Sequence, residues 1–204
     1  ANNGREPLFI YLAAAGVGLL GRTPAALRLV SAVAGTLTVP ATYALARAWF
    51  DRRIALLAAF LCATTTWTVN LSRIAFRAVL MPPLVAASLA LLWIGLTRRR
   101  PAHLVWAGAL FGLTLYTYLA ARMALVAVAL IAVYALLAHR RTLWPAGWGI
   151  FFVLALLVAA PLGAYLARDA EALLERTSQV SILNPAINGG DPWGTLARHV
   201  GRTT

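Results

Sequence analysis

Lysine is absent from this 204-residue chain, and cysteine, histidine and acidic residues are scarce. The sequence has one cysteine, three histidines and six acidic residues against 18 arginines. Cys62 can form no intrachain disulfide, and its apolar surroundings predict a packing role. The histidines are too scattered to predict a metal-ligand set, and there is no glycine-rich phosphate loop and no His-Glu-x-x-His motif. The sequence therefore gives no support to the common zinc-dependent and nucleotide-binding enzyme classes.

Charge is also rare. Only 12% of the residues are charged and 61% are hydrophobic, and the mean hydropathy is +0.77, whereas roughly a quarter of a soluble domain is charged. These values predict an integral membrane protein. A formal net charge of +12 could indicate a nucleic-acid partner. The arginines, however, stand in short clusters between apolar runs, so contact with membrane lipids explains them and no nucleic-acid partner is predicted.

The apolar runs predict an all-α, polytopic transmembrane helix bundle of about six spans with one short interfacial helix. Residues 7–20 form the interfacial helix, since a span needs about twenty residues, and Gly21 is a suitable stop. Thr23 as N-cap and Pro24 in the first turn predict the start of the first span. Gly108 and Gly112 form a small-residue pattern that predicts close helix packing. The predicted spans are residues 23–46, 54–70, 79–97, 103–119, 123–138 and 147–166.

The arginine clusters orient this predicted bundle. They follow every second span, and by the positive-inside rule they face the cytoplasm. Five of the six acidic residues fall on the opposite, outer side. We therefore expect the end of an outer loop and the interfacial helix at 1–22, the transmembrane bundle at 23–167, and an extracytoplasmic segment at 168–204. The clusters are Arg47, Arg52, Arg53, then Arg98, Arg99, Arg100, then Arg140, Arg141.

Two arginines between long apolar runs are candidates for substrate binding. Arg73 and Arg77 are four residues apart, which predicts that they share one side of a helical turn at the outer side. Guanidinium groups match phosphate oxygens in a bidentate manner, so the pair could hold an anionic, lipid-linked substrate. The alternative is that both lie at a helix end and extend to the lipid headgroups.

The remaining candidates also lie on the predicted outer rim. Glu6, beside Arg5, could transfer a proton or bind a metal, or it could only favour the dipole of the following helix. Tyr116 and Tyr118 could form a sugar platform or an aromatic belt at the interface. Arg122 could contact substrate, or it could only lie at the rim of the bundle without a role in binding. No metal-ligand set is predicted, and a divalent metal cofactor stays open.

Six stretches of the chain, in their order and spacing, resemble the polytopic glycosyltransferases of the protein-mannosyltransferase and aminoarabinose-transferase superfamily. One begins REPLFIYL, one contains LSRIAFRAVL and one reads LYTYLAAR. The resemblance covers most of the chain. The stretches are residues 5–12, 20–40, 43–53, 67–80, 115–122 and 177–185.

This resemblance implies the C-type glycosyltransferase fold in a bacterial plasma membrane. Such enzymes transfer a hexosyl or pentosyl group from a polyprenyl-phosphate carrier to a lipid, protein or glycan acceptor on the outer face. Their principal acid lies in the first outer loop after the first span. We expect that span and loop to be missing here and this fragment to be inactive alone, with Glu6 matching the later part of the loop.

The resemblance also bears on the arginines and on a metal. Arg73 and Arg77 match a Ser-Arg-x-x-x-Arg pattern of the bacterial branch. Met81 stands where aminoarabinose transferases have an aspartate before the proline, which argues against a shared metal site. Two other function classes stay open: a transporter or lipid flippase, and a non-catalytic membrane scaffold.

Overall fold

The computed structural model describes residues 7–118, 120–138, 144–168, 191 and 193–194. Within these ranges every regular element of secondary structure is a helix, so the predicted all-α bundle is confirmed. The helices are α1 (Leu8–Leu20), α2 (Pro24–Trp49), α3 (Arg52–Thr64), α4 (Thr66–Arg73), a 3₁₀ turn (Arg77–Leu80), α5 (Met81–Arg98), α6 (Pro101–Thr114), α7 (Ala121–Ala138) and α8 (Pro145–Arg168).

The helix ends follow the chemistry of the local sequence. The Thr23 hydroxyl accepts a hydrogen bond of 3.2 Å from the backbone N–H of Ala26, and Pro24 is the first residue of α2. The predicted start of this helix is therefore confirmed. Gly21, which follows α1, has a φ of 79°, a left-handed conformation that glycine adopts without steric cost. Arg99 ends α5 in the left-handed conformation.

Four of the described helical stretches are long and apolar enough to cross a membrane: Pro24–Trp49, Arg77–Arg98, Ala121–Ala138 and Pro145–Tyr165. The pair α3 and α4 makes a fifth if it counts as one bent span. The number is thus four or five rather than about six. The difference comes from α6, which has only 14 residues, because turns stabilised by the Thr114 and Thr117 hydroxyls replace the helix after Thr114.

The run predicted as one span over residues 54–70 is broken. Helices α3 and α4 meet at Thr65 with a bend of 53°, and Thr65 itself is extended, with φ −65° and ψ 123°. The hydroxyls of Thr64 and Thr65 both donate to the carbonyl of Leu61 in the preceding turn. Such side-chain bonds compete with the helical ladder and bend helices.

The helices run between two ends of the bundle, which we name the Arg77 end and the Arg98 end after the limits of the α5 stretch. Helices α2 and α8 reach the Arg98 end, because Arg47 of α2 lines a cleft with Arg98 and the N–H of Trp144 donates to the Leu96 carbonyl at 3.3 Å. The beginning of α1 lies at the Arg77 end, beside the segment that follows α6.

The larger hydrophobic core packs α5, α6, α7 and α8 around Phe111 and Phe151, whose rings lie 5.4 Å apart. Gly108 and Gly112 of α6 face α8 so closely that a Cβ atom on Gly108 would lie 2.4 Å from the Phe151 carbonyl oxygen. The packing role predicted for these two glycines is therefore confirmed. A smaller core joins α1, α2 and the 3₁₀ turn through Phe9, Ala13, Ala34, Val79 and Leu80.

The chain divides into two compact units, Glu6–Ala160 in one and Ala1–Arg5 with Pro161–Thr204 in the other. In the described part of the second unit, the Gly194 N–H donates to the Asp191 carboxylate at 2.9 Å. The site described below belongs to the first unit.

Candidate functional site

Arg73 and Arg77 do not share a helical turn. Arg73 is the last residue of α4 and Arg77 the first of the 3₁₀ turn, and between them Ile74 and Phe76 are extended. The expected i, i+4 relationship is therefore wrong, because the helix does not continue through this segment. Arg73 is exposed, whereas Arg77 is partly buried.

Arg77 instead meets an aromatic side chain from a distant part of the sequence. Its guanidinium carbon lies 6.0 Å from the centre of the Tyr118 ring, within the range of a cation–π interaction. Phe76 contacts the same ring, with centroids 6.1 Å apart and the ring planes inclined by 58°. We call Phe76, Arg77 and Tyr118 the rim cluster. Phe76 was not among the residues predicted from the sequence, although its position beside Arg77 was a signal.

Tyr116, two residues before Tyr118 of the rim cluster, forms hydrogen bonds to α8 and to the start of α1. Its hydroxyl donates to the Val158 carbonyl of α8 at 2.8 Å, and its own carbonyl accepts the N–H of Leu8 at 3.2 Å. The segment from Tyr116 to Tyr118 therefore lies between the start of α1 and the 3₁₀ turn. The residue before α1, Pro7, is held next to this segment.

The other candidate residues stand as follows. Arg122 is in the first turn of α7 and is partly buried. Arg5 and Glu6 lie outside the described residues. Within the described ranges, no group of three or more His, Cys, Asp and Glu side chains could hold a metal ion.

An apolar groove of about 400 Å³ has as one of its walls Leu80, which lies in the same 3₁₀ turn as Arg77. It runs between α1, α2 and α5, and every residue that lines it is apolar. Its walls come from four separated segments, so no local pattern in the sequence predicts it. They are Leu8, Leu12, Ala34, Leu37, Pro40, Ala41, Leu80, Pro83, Leu84, Ala87 and Leu113.

The lining could accept a flexible hydrocarbon chain, and the Arg77 guanidinium could accept an anion. A cation in the same 3₁₀ turn as a wall of an apolar groove suits an amphiphile with a negatively charged head. The fold defines the class of protein: a polytopic helical membrane protein.

The chain belongs to the family of dolichyl-phosphate-mannose-protein mannosyltransferases, whose family model matches residues 5–165. It is thus a membrane protein of a glycosyltransferase family, and the resemblance drawn from the sequence is confirmed. No curated protein matches the chain, and no solved structure does.

Proposed function

We propose that this membrane glycosyltransferase takes a hexosyl or pentosyl group from a polyprenyl-phosphate donor and passes it to a lipid, protein or glycan acceptor. The observation that carries the donor class is the position of Arg77 in the same 3₁₀ turn as Leu80, a wall of the apolar groove. A polyprenyl phosphate has the same two parts, an anionic head joined to a long apolar tail.

The two parts of the donor contribute differently to binding. The tail passes from lipid to a groove that is equally apolar, so burial of hydrocarbon supplies little driving force. The charged head can gain more, because hydrogen bonds to charged groups contribute about 1.5–3 kcal/mol each. The groove therefore orients the donor, and affinity depends mainly on the phosphate contacts of Arg77, with Arg73, Arg5 and Arg122 as further candidates.

In the proposed transfer, an acceptor oxygen attacks the anomeric carbon while the bond from that carbon to the phosphate oxygen breaks. The phosphate leaves with the bonding electrons, and the Arg77 guanidinium stabilises the negative charge that develops on it. The acceptor proton passes to a carboxylate base. Glu6 is the candidate, supported by the bond that holds the start of α1 against Tyr116. Tyr116 and Tyr118 offer the sugar an aromatic surface.

The distribution of arginine supports an orientation in a bacterial plasma membrane. The Arg98 end carries Arg98, Arg99 and Arg100 in succession, so the positive-inside rule directs it to the cytoplasm. The rim cluster then faces outward. On this basis residues 1–22 approach the outer face, residues 23–167 form the bundle, and residues 168–204 form an extracytoplasmic segment.

Narrowing the groove tests the donor assignment. Ala87→Trp places a large side chain in the groove, and Ala127→Trp, at an exposed position of α7, is the matched control. We expect Ala87→Trp to raise the KM of an eleven-isoprene donor about tenfold or more and to leave the KM of a two-isoprene donor nearly unchanged. An unchanged KM for the long donor would contradict the assignment.

A second candidate function is that of a transporter or lipid flippase. The bent pair α3 and α4 favours it, because helices that are interrupted within the membrane and free backbone N–H and C=O groups at the break are typical of transporters. Reconstituted vesicles separate the two functions. A transferase releases the sugar from the labelled donor, whereas a flippase moves the intact labelled lipid between leaflets without cleaving it.

A further inference from the structure

A second cleft lies at the Arg98 end, away from the rim cluster. It has a volume of about 450 Å³ and is formed by α2 and α5, within the size range of ligand pockets. Two arginines from different helices line it, Arg47 and Arg98, and none of its lining residues is acidic. The residues that line it are Tyr43, Ala44, Arg47, Ala48, Trp93, Ile94, Thr97 and Arg98.

The charge balance of this cleft favours an anion. Both helices end here, and each carries about half a negative charge at its C-terminus. The two positive charges of Arg47 and Arg98 are larger than the combined negative charge of the two helix ends. Arg47 uses one donor on the Phe50 carbonyl at 3.3 Å, which leaves most of its five donors for other acceptors. The nearby carboxylate of Asp51 accepts the Ile54 N–H at 2.9 Å and caps α3.

Three exposed aromatic side chains mark the depth of the cleft in the membrane. Trp49, Phe50 and Trp93 are 48%, 54% and 38% exposed, and the Trp49 ring stacks edge-on with Trp93 at 6.4 Å. Tryptophan is enriched where lipid headgroups meet the hydrocarbon. The arginines are therefore at the level of lipid phosphates, and a lipid is the occupant that this position favours over a soluble anion.

The cleft and the apolar groove are lined by the same faces of α2 and α5. Leu37 and Ala41 of the groove are followed by Ala44 and Ala48 of the cleft, and spacings of three and four residues keep these positions on one side of a helix. A lipid with its head in the cleft can thus lay an acyl chain along the same seam.

We propose that this cleft binds the phosphate headgroup of an anionic phospholipid through Arg47 and Arg98. The headgroup site shares no lining residue with the rim cluster or the groove, so it can be tested separately from the phosphate site of the donor. The Tyr43 hydroxyl, which also lines the cleft, can donate a further hydrogen bond to the head.

Binding of short-chain lipids to the purified full-length protein in a neutral detergent tests this site. The probes are dioctanoyl phosphatidylglycerol, dioctanoyl phosphatidylcholine and inorganic phosphate. We expect phosphatidylglycerol to bind at least about tenfold more tightly than the other two. Equal affinity for phosphatidylcholine would overturn the proposal, and equal affinity for inorganic phosphate would make the cleft a site for a soluble anion instead.

Matched variants separate the cleft from the general basic charge of this end. Arg47→Gln with Arg98→Gln should weaken phosphatidylglycerol binding at least about tenfold. Arg53→Gln with Arg100→Gln removes the same charge outside the cleft and should change binding less than about threefold. Equal weakening in both would overturn the proposal. Ala44→Trp, which fills the cleft and keeps both arginines, provides the same test if the arginine variant does not fold.

Discussion

The guanidinium carbon of Arg77 lies 6.0 Å from the centre of the Tyr118 ring, and this contact joins the beginning of the α5 stretch to the segment between α6 and α7. The cation is thereby held against this ring rather than left to move with a long side chain. Preorganised charge of this kind is more effective in a reaction that develops negative charge, because the protein need not reorganise.

The ring of Tyr118 should therefore matter more than its hydroxyl. Tyr118→Phe keeps the aromatic face and should retain nearly full kcat/KM for the donor. Tyr118→Leu removes a cation–π interaction of about 0.5–2 kcal/mol and should lower kcat/KM roughly two- to thirtyfold. Tyr134→Leu, on an exposed face of α7, is the control. Equal activity of the phenylalanine and leucine variants would refute a role for the ring.

Gly35 permits the close approach of α4 to α2. A Cβ atom at this position would lie 2.4 Å from Cβ of Ser72, so Gly35→Ala should push α4 away and lower stability by about 1–3 kcal/mol. Adding Ser72→Gly removes the opposing carbon and should restore part of the loss. Chemical unfolding in detergent measures both changes. A Gly35→Ala protein as stable as Gly18→Ala, where nothing lies within 4 Å of the added carbon, would contradict this packing.

The contact between α6 and α8 leads to a similar prediction with an internal control. Gly108→Ala directs a methyl group at the backbone carbonyl of Phe151 and should destabilise the bundle by about 1–3 kcal/mol. Gly149→Ala lies in α8 with open space around the added carbon, and it should be neutral or stabilising by up to about 1 kcal/mol through helix propensity. Thermal unfolding that does not separate the two variants would exclude this close contact.

The orientation of the bundle can be measured with single cysteines. In a Cys62→Ala background, Arg22→Cys, in the loop before α2 and at the opposite end of that helix from Arg47, should react with an impermeant maleimide in intact cells. Arg53→Cys at the Arg98 end should react only after the membrane is permeabilised, since the positive-inside rule directs that end to the cytoplasm. Labelling in the reverse order would invert the proposed membrane orientation and move the rim cluster to the inner face.

Much of the fold could be predicted from the sequence because its signals are local. Thr23 with Pro24 predicts a helix start, Gly21 predicts a stop, and the Gly108 and Gly112 pair predicts close packing, and each of these is seen. Hydropathy did not reveal the break at Thr65, because threonine hydroxyls that bond to the preceding turn change the backbone without changing the apolar character of the run.

The candidate site could be predicted less well, because its contacts join residues far apart in the chain. Arg73 and Arg77 have the spacing of one helical turn, but the extended backbone at Ile74 and Phe76 separates them. The contact of Arg77 with Tyr118 and the walls of the groove depend on how the helices pack. No periodicity in the sequence contains that information.

The most direct test of the account is sugar release from a labelled polyprenyl-phosphate donor by the full-length protein in membranes. Wild type should release the sugar to an acceptor. Arg77→Gln should lower kcat/KM for the donor about tenfold or more, whereas Arg22→Gln, an exposed arginine in the loop before α2, should stay near wild type. Wild-type kinetics in Arg77→Gln would contradict the phosphate site, and the absence of release by the intact protein from any such donor would contradict the proposed reaction itself.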